Sequence, residues 1–132
     1  MIYIEKNTEN TFVLELKWLG TMVATPYYLF EFINEFDIER VSRFFTTPDV
    51  SNSTNRYNKF ILEESDSGSD GNVDSLPINL VSGQYKYNVY RSDSPIDIDD
   101  DIQISDIVSN NPISTARMVV EGDNQIIDSV YL

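Results

Sequence analysis

Apolar side chains recur at every second position in a series of short runs, and turn-forming residues stand between those runs. The clearest run is Thr11 to Trp18, where Phe12, Leu14, Leu16 and Trp18 share one face and Val13, Glu15 and Lys17 lie opposite. A period of two is the signature of an extended strand with one face buried, and it cannot sit on a helix. Ile2 and Ile4 alternate with Tyr3 and Glu5 in a short opening strand. Pro26 introduces Tyr27 to Ile33, an aromatic-rich run in which only Glu31 is strongly polar, so it reads as a central strand needing cover on both faces.

Further runs follow the same rhythm. Val41 to Thr47 is expected to pair with Tyr27 to Ile33, and Tyr57 to Glu64 alternates with Phe60 and Leu62 facing away from Tyr57 and Ile61. After Ile78 to Leu80 and a turn at Ser82-Gly83, Tyr85, Tyr87 and Val89 share a face within Gln84 to Arg91. Arg117 to Glu121 and Ile126 to Leu132 read as a closing hairpin around Gly122-Asp123-Asn124. About eight strands with turns between most of them predict an all-β fold, an antiparallel β-sandwich of immunoglobulin-like or jelly-roll-like type, in one domain over residues 1–132. Helical spacing is confined to Glu35 to Arg43 and to Ile102 to Val108, with Ile104, Ile107 and Val108; neither is long enough to set the architecture. There is no convincing internal repeat.

Two stretches interrupt the strands. Ser65 to Ser75 reads as a flexible polar loop, and Ser92 to Asn111 as an acidic excursion on one edge or end, with Asp93, Asp97, Asp99, Asp100, Asp101 and Asp106 and no basic residue. In the first, Asp66, Asp70, Gly71 and Asp74 fall near positions one, five, six and nine of a calcium loop. Gly68 and Pro77 occupy positions three and twelve, so two ligands are missing, and a solvated loop is the better reading. In the second, Asp97, Asp99, Asp100 and Asp101 are close enough in sequence to offer oxygen ligands to a hard cation such as calcium. The alternative is that they face water and discourage edge-to-edge pairing.

Composition closes several catalytic routes. With no histidine and no cysteine, Ser-His-Asp and Cys-His nucleophile arrangements, thiolate zinc sites and disulfides are all excluded. Among 22 acidic residues no spacing marks out an acid–base pair, so no catalytic residue is named and no cofactor is expected. A formal charge of −13 repels phosphate backbones and anionic bilayers, which argues against nucleic-acid and membrane partners. The start of the chain lacks the basic-then-apolar pattern of a signal peptide, so synthesis in a cytoplasm is expected. Tyr27, Tyr28, Tyr57, Tyr85, Tyr87 and Tyr90 could line a carbohydrate-binding face, though strand aromatics serve more often in cores. For an interaction protein the candidate contact residues are Tyr28, Phe30 and Phe32 on the doubly apolar strand and Ile126, Val130 and Leu132 at the apolar end.

Several segments, taken in order, resemble a group of small virion proteins of tailed phages of Bacteroidota hosts, including crAss-like phages. They are Met1-Ile-Tyr-Ile-Glu-Lys-Asn, Pro26-Tyr-Tyr-Leu-Phe-Glu-Phe-Ile-Asn, Arg56-Tyr-Asn-Lys-Phe-Ile-Leu-Glu-Glu, Gly83-Gln-Tyr-Lys-Tyr-Asn-Val-Tyr and Ala116-Arg-Met-Val-Val-Glu-Gly. The resemblance spans most of the chain except the two polar stretches, and it is one of strand-and-turn pattern with no catalytic signature. It implies a β-sandwich component of the particle: a head decoration protein, a head-fibre base or a tail adaptor, bound to capsid, tail or fibre subunits or to copies of itself. The alternative classes are a carbohydrate- or calcium-dependent binding module and a hydrolase working with two carboxylates.

Overall fold

The computed structural model describes residues 1–16, 26–36, 42–51 and 57–121. The strands are β1 (Ile2–Ile4), β2 (Glu9–Leu14), β3 (Tyr27–Asn34), β4 (Ser42–Thr46), β5 (Asn58–Ser69), β6 (Val73–Asp74), β7 (Gly83–Ser92) and β8 (Ser114–Val120), with one helix, α1 (Asp101–Val108), between β7 and β8. The fold is all-β, as the alternation predicts. Trp18 and the segment Ile126 to Leu132, with the hairpin expected there, lie outside the described residues, as does most of Glu35 to Arg43.

Six strands form one sheet in the order β1-β8-β7-β3-β4-β6, and β2 pairs with β5 as a separate two-stranded ribbon. The pairing is mixed, where a wholly antiparallel arrangement was expected. β3 runs antiparallel to β4 and β7, and β7 to β8, but β1 lies parallel to β8 and β6 parallel to β4. Parallel neighbours are joined by long connections, so the local turn signals that reveal hairpins carry no trace of them.

The ribbon packs on the inner face of the sheet. Phe12 and Phe60 from the ribbon meet Phe30 from β3 at ring-centroid distances of 5.7 Å and 5.0 Å, and Tyr28 meets Phe60 edge-on at 5.4 Å. Phe32, Phe45, Tyr87, Met118, Ile2 and Ile4 complete this core. Such aromatic pairs add about 0.5–1.5 kcal/mol each beyond the area they bury. The alternation reads directly: every inward residue of β3, β7 and β8 in this core sits at even spacing from the next.

The outer face carries a second, smaller core. Leu29 and Tyr90 from the sheet meet Ile98 and Ile104, with Phe44, Ile96, Ile107 and Val108 packed around them. The cover that β3 needs on its second face therefore comes from the acidic excursion itself, whose Ile98 and Ile104 turn inward while its aspartates and Ile102 turn out. Ser92 to Asn111 is a lid over one half of the sheet rather than an appendage at its edge.

Ser65 to Ser75 also departs from expectation. β5 continues as extended chain to Ser69, and Val73 in β6 is buried. A Cβ on Gly68 would lie 2.8 Å from the backbone of Pro77 and Ile78, so only glycine permits that close approach. The segment is fastened by hydrogen bonds. Asp66 N–H donates to Asn7 Oδ1 at 3.0 Å, and the Arg43 guanidinium donates to the carbonyls of Ser69, Gly71 and Asn79. Asn7 adopts a left-handed conformation, φ 57°, which asparagine tolerates better than most residues.

Candidate functional site

The acidic segment is the better of the two cation candidates in the sequence, and its geometry assigns most of its carboxylates to local structure. Asp100 is the N-cap of α1: its Oδ1 accepts from Ile102 N–H and Gln103 N–H, both at 3.1 Å. That satisfies two of the donors a helix start leaves without partners. Asp101 follows in the first turn, where the positive end of the helix dipole favours a negative charge. Asp97 Oδ1 accepts from Asp99 N–H at 3.0 Å, while Gln103 bridges back to Asp97 N–H and to the Pro95 carbonyl. Among the described residues, no three metal-ligating side chains converge, so Asp97, Asp99, Asp100 and Asp101 are close in sequence without forming a shared cage. The calcium-loop candidates are dispersed too: Asp66 bonds Asn7, and Asp74 accepts from Thr46 Oγ1 at 2.8 Å.

A groove of about 440 Å³ runs between the β6 end and the start of the acidic segment, lined by Asp74, Asp97 and Asp99 with Leu76, Val73 and Ile96 among its walls. It brings the two polar stretches together, which their separation in sequence does not foretell.

Inside the fold, each acid is consumed by the framework. Glu64 is 1% exposed and accepts from Lys6 Nζ at 2.9 Å, Asn7 N–H at 2.8 Å and Leu80 N–H at 3.0 Å. Glu31 on the outer face accepts from Ser42 Oγ and Asn88 Nδ2, both at 2.8 Å, and from the Tyr90 hydroxyl at 3.2 Å. Burial first, then the neighbouring Glu31 charge, pushes the Tyr90 pKa up to about 12. Asp49 accepts from Lys59 N–H, Ser51 N–H and Asn58 Nδ2. Burial alone would raise its pKa, but those hydrogen bonds outweigh burial and hold it below the ordinary aspartate value.

The interface candidates on β3 require correction. Tyr28, Phe30 and Phe32 are 6%, 0% and 1% exposed and belong to the inner core, so they present no surface to a partner. Alternation placed them on one face correctly; it could not tell that the ribbon β2–β5 covers that face. Ile126, Val130 and Leu132 lie outside the described residues. Tyr28, Tyr85, Tyr87 and Tyr90 are buried, which removes four of the six tyrosines from any exposed carbohydrate platform.

A surface that the sequence did not disclose lies on the half of the outer face over which no described helix or strand packs. Lys86 on β7 is the direct neighbour of Arg117 on β8 and of Ile33 on β3. One row further, Gln84, Val119 and Tyr3 align across β7, β8 and β1. Lys86 and Tyr3 are exposed, and Arg117 pairs only loosely with Glu35 at 3.6 Å. The parity of Tyr85, Tyr87 and Val89 implied that Lys86 faces outward; its register against Arg117 was not legible.

Among the described residues no helix is long and apolar enough to cross a membrane. Comparison with known proteins finds no matching family model, no matching curated protein and no matching solved structure.

Proposed function

We propose that this chain is a non-enzymatic structural protein of a phage particle, made in the host cytoplasm and acting by contact with capsid, tail or fibre subunits. The observation that supports a non-catalytic role most directly is the use of the acids. Glu31, Asp49 and Glu64 each accept three framework hydrogen bonds and Asp100 accepts two. A carboxylate so engaged is held in place by the framework, the opposite of a general acid free to meet a substrate in a cleft. The phage component of the proposal rests on the family resemblance of the strand-and-turn segments. It accords with a sheet whose outer face is covered only in part among the described residues.

Mass spectrometry of purified particles tests this reading. The expected result is the intact chain at a copy number fixed relative to the major subunits; its absence from washed particles overturns the proposal. The calcium-dependent alternative is tested by titration calorimetry, in which a heat of binding abolished by Asp97→Asn together with Asp99→Asn would favour it over a purely structural role.

A further inference from the structure

Over the half of the outer face that carries Lys86 and Arg117 no described helix or strand packs, and three observations bear on what could dock there. The first is charge. Lys86 and Arg117 stand directly opposite each other on adjacent strands, an arrangement of like charges that costs free energy in isolation. Both are exposed on a chain whose formal charge is −13. Lys6 is bound to Glu64 and Arg43 to three carbonyls, and Arg117 has Glu35 at 3.6 Å much as Arg91 has Asp93 at 3.7 Å, whereas Lys86 forms no ion pair among the described residues. Tyr3 and Val119 sit beside the basic pair, so the surface suits a partner that is both acidic and apolar.

The second observation is that the chain carries such a surface itself. The outward side of α1 presents Ile102, 77% exposed, with Asp101 and Asp106, while Asp99 is exposed just before the helix. None of these three aspartates forms an ion pair among the described residues.

The third is placement. α1 packs over Leu29 and Tyr90, whereas Lys86 lies four residues along β7 from Tyr90. At about 3.4 Å per residue that is roughly 14 Å. The helix therefore rises as a step on one half of the sheet face, and the Lys86 half lies lower, with no described helix or strand packed over it. Because the step and the lower half share a face, a single twofold axis lying parallel to that face can set each helix against the other copy's Lys86 half and make the contact twice. Such an arrangement is closed and self-complementary.

We propose that two copies of this chain associate face to face, with Ile102, Asp101 and Asp106 of each copy seated against Tyr3, Lys86 and Arg117 of the other. An eight-residue helix is about 12 Å long, so the doubled contact falls near the low end of specific interfaces and gives a weak, concentration-dependent dimer. This deepens the surface-acting reading above by naming a partner and rests on that reading. Particle composition tests the reading, whereas self-association in solution tests this inference, so the two can fail separately.

Sedimentation equilibrium at about 0.15 M salt, where screening confines electrostatics to local pairs, is the measurement. A monomer–dimer equilibrium is expected. Lys86→Glu with Arg117→Glu should weaken it at least about 30-fold, and adding Asp101→Lys with Asp106→Lys should restore it to within about 5-fold. As a geometric check, the chain has no cysteine, so Lys86→Cys mixed with Asp106→Cys should form an intermolecular disulfide faster than either variant alone. A wild-type monomer at all concentrations, indifference to the first pair of changes, failure of the second pair to restore, or growth into open-ended polymers would overturn the inference. Retained circular dichroism and melting temperature in each variant exclude misfolding as the cause.

Discussion

Ser65 to Ser75 and Ser92 to Asn111 look alike in sequence, both polar, rich in aspartate and serine, and both breaking the strand rhythm. The fold holds them by different physics. The first has a single buried apolar residue, Val73, and is tied down by Asn7, Arg43 and the backbone of Pro77 and Asn79. The second hides Ile98 and Ile104 under an acidic exterior and is held by packing against Leu29 and Tyr90. A polar stretch is therefore read by whether isolated apolar residues within it fall on a common side, not by its average composition. In Ile98, Ile104, Ile107 and Val108 they do.

That contrast predicts different vulnerabilities. Ile104→Ala should have the largest effect, about 2–4 kcal/mol of destabilisation by chemical denaturation, because it opens a cavity under the helix. Hydrogen exchange should rise across 96–108 and stay unchanged at 65–75; a uniform rise would mean that the two regions are not independent. Arg43→Met should cost less, about 2 kcal/mol, by leaving the carbonyls of Ser69, Gly71 and Asn79 without their donor. Here limited proteolysis should select the 65–75 segment, and equal cleavage of the helix would break the comparison. Asp100→Ala should remove about 1 kcal/mol through loss of the N-cap, with fraying confined to the first turn of α1 as the amide exchange readout.

The smallest effect concerns pH and shows only in alkaline solution. Tyr90 is neutral in the fold with its pKa raised from the ordinary 10.0 to about 12. Its contribution to stability is therefore complete below pH 10 and is lost as pH rises through about 12. Ultraviolet titration should show one tyrosine ionising late, and Glu31→Gln should bring that ionisation to lower pH. No change in the late step would mean that Glu31 does not govern it.

The legible parts of the fold were those encoded locally. Alternation located β2, β3, β5 and β7 and sorted their faces, since a period of two states which side chains can share a core. The spacing of Ile104, Ile107 and Val108 marked the helix that α1 forms. The site was less legible. Lys86 and Arg117 are 31 residues apart, and only strand register makes them neighbours.

By itself, the sequence determined that the chain is all-β, that its core is aromatic, and that histidine and cysteine chemistry is closed to it. Tertiary structure decided which apolar face is covered by what: the ribbon over Phe30 and Phe32, the helix over Leu29, and nothing from the described chain over Tyr3 and Val119. The reason is that periodicity is a property of neighbouring residues, while cover and register depend on segments that meet only after the chain has closed long loops.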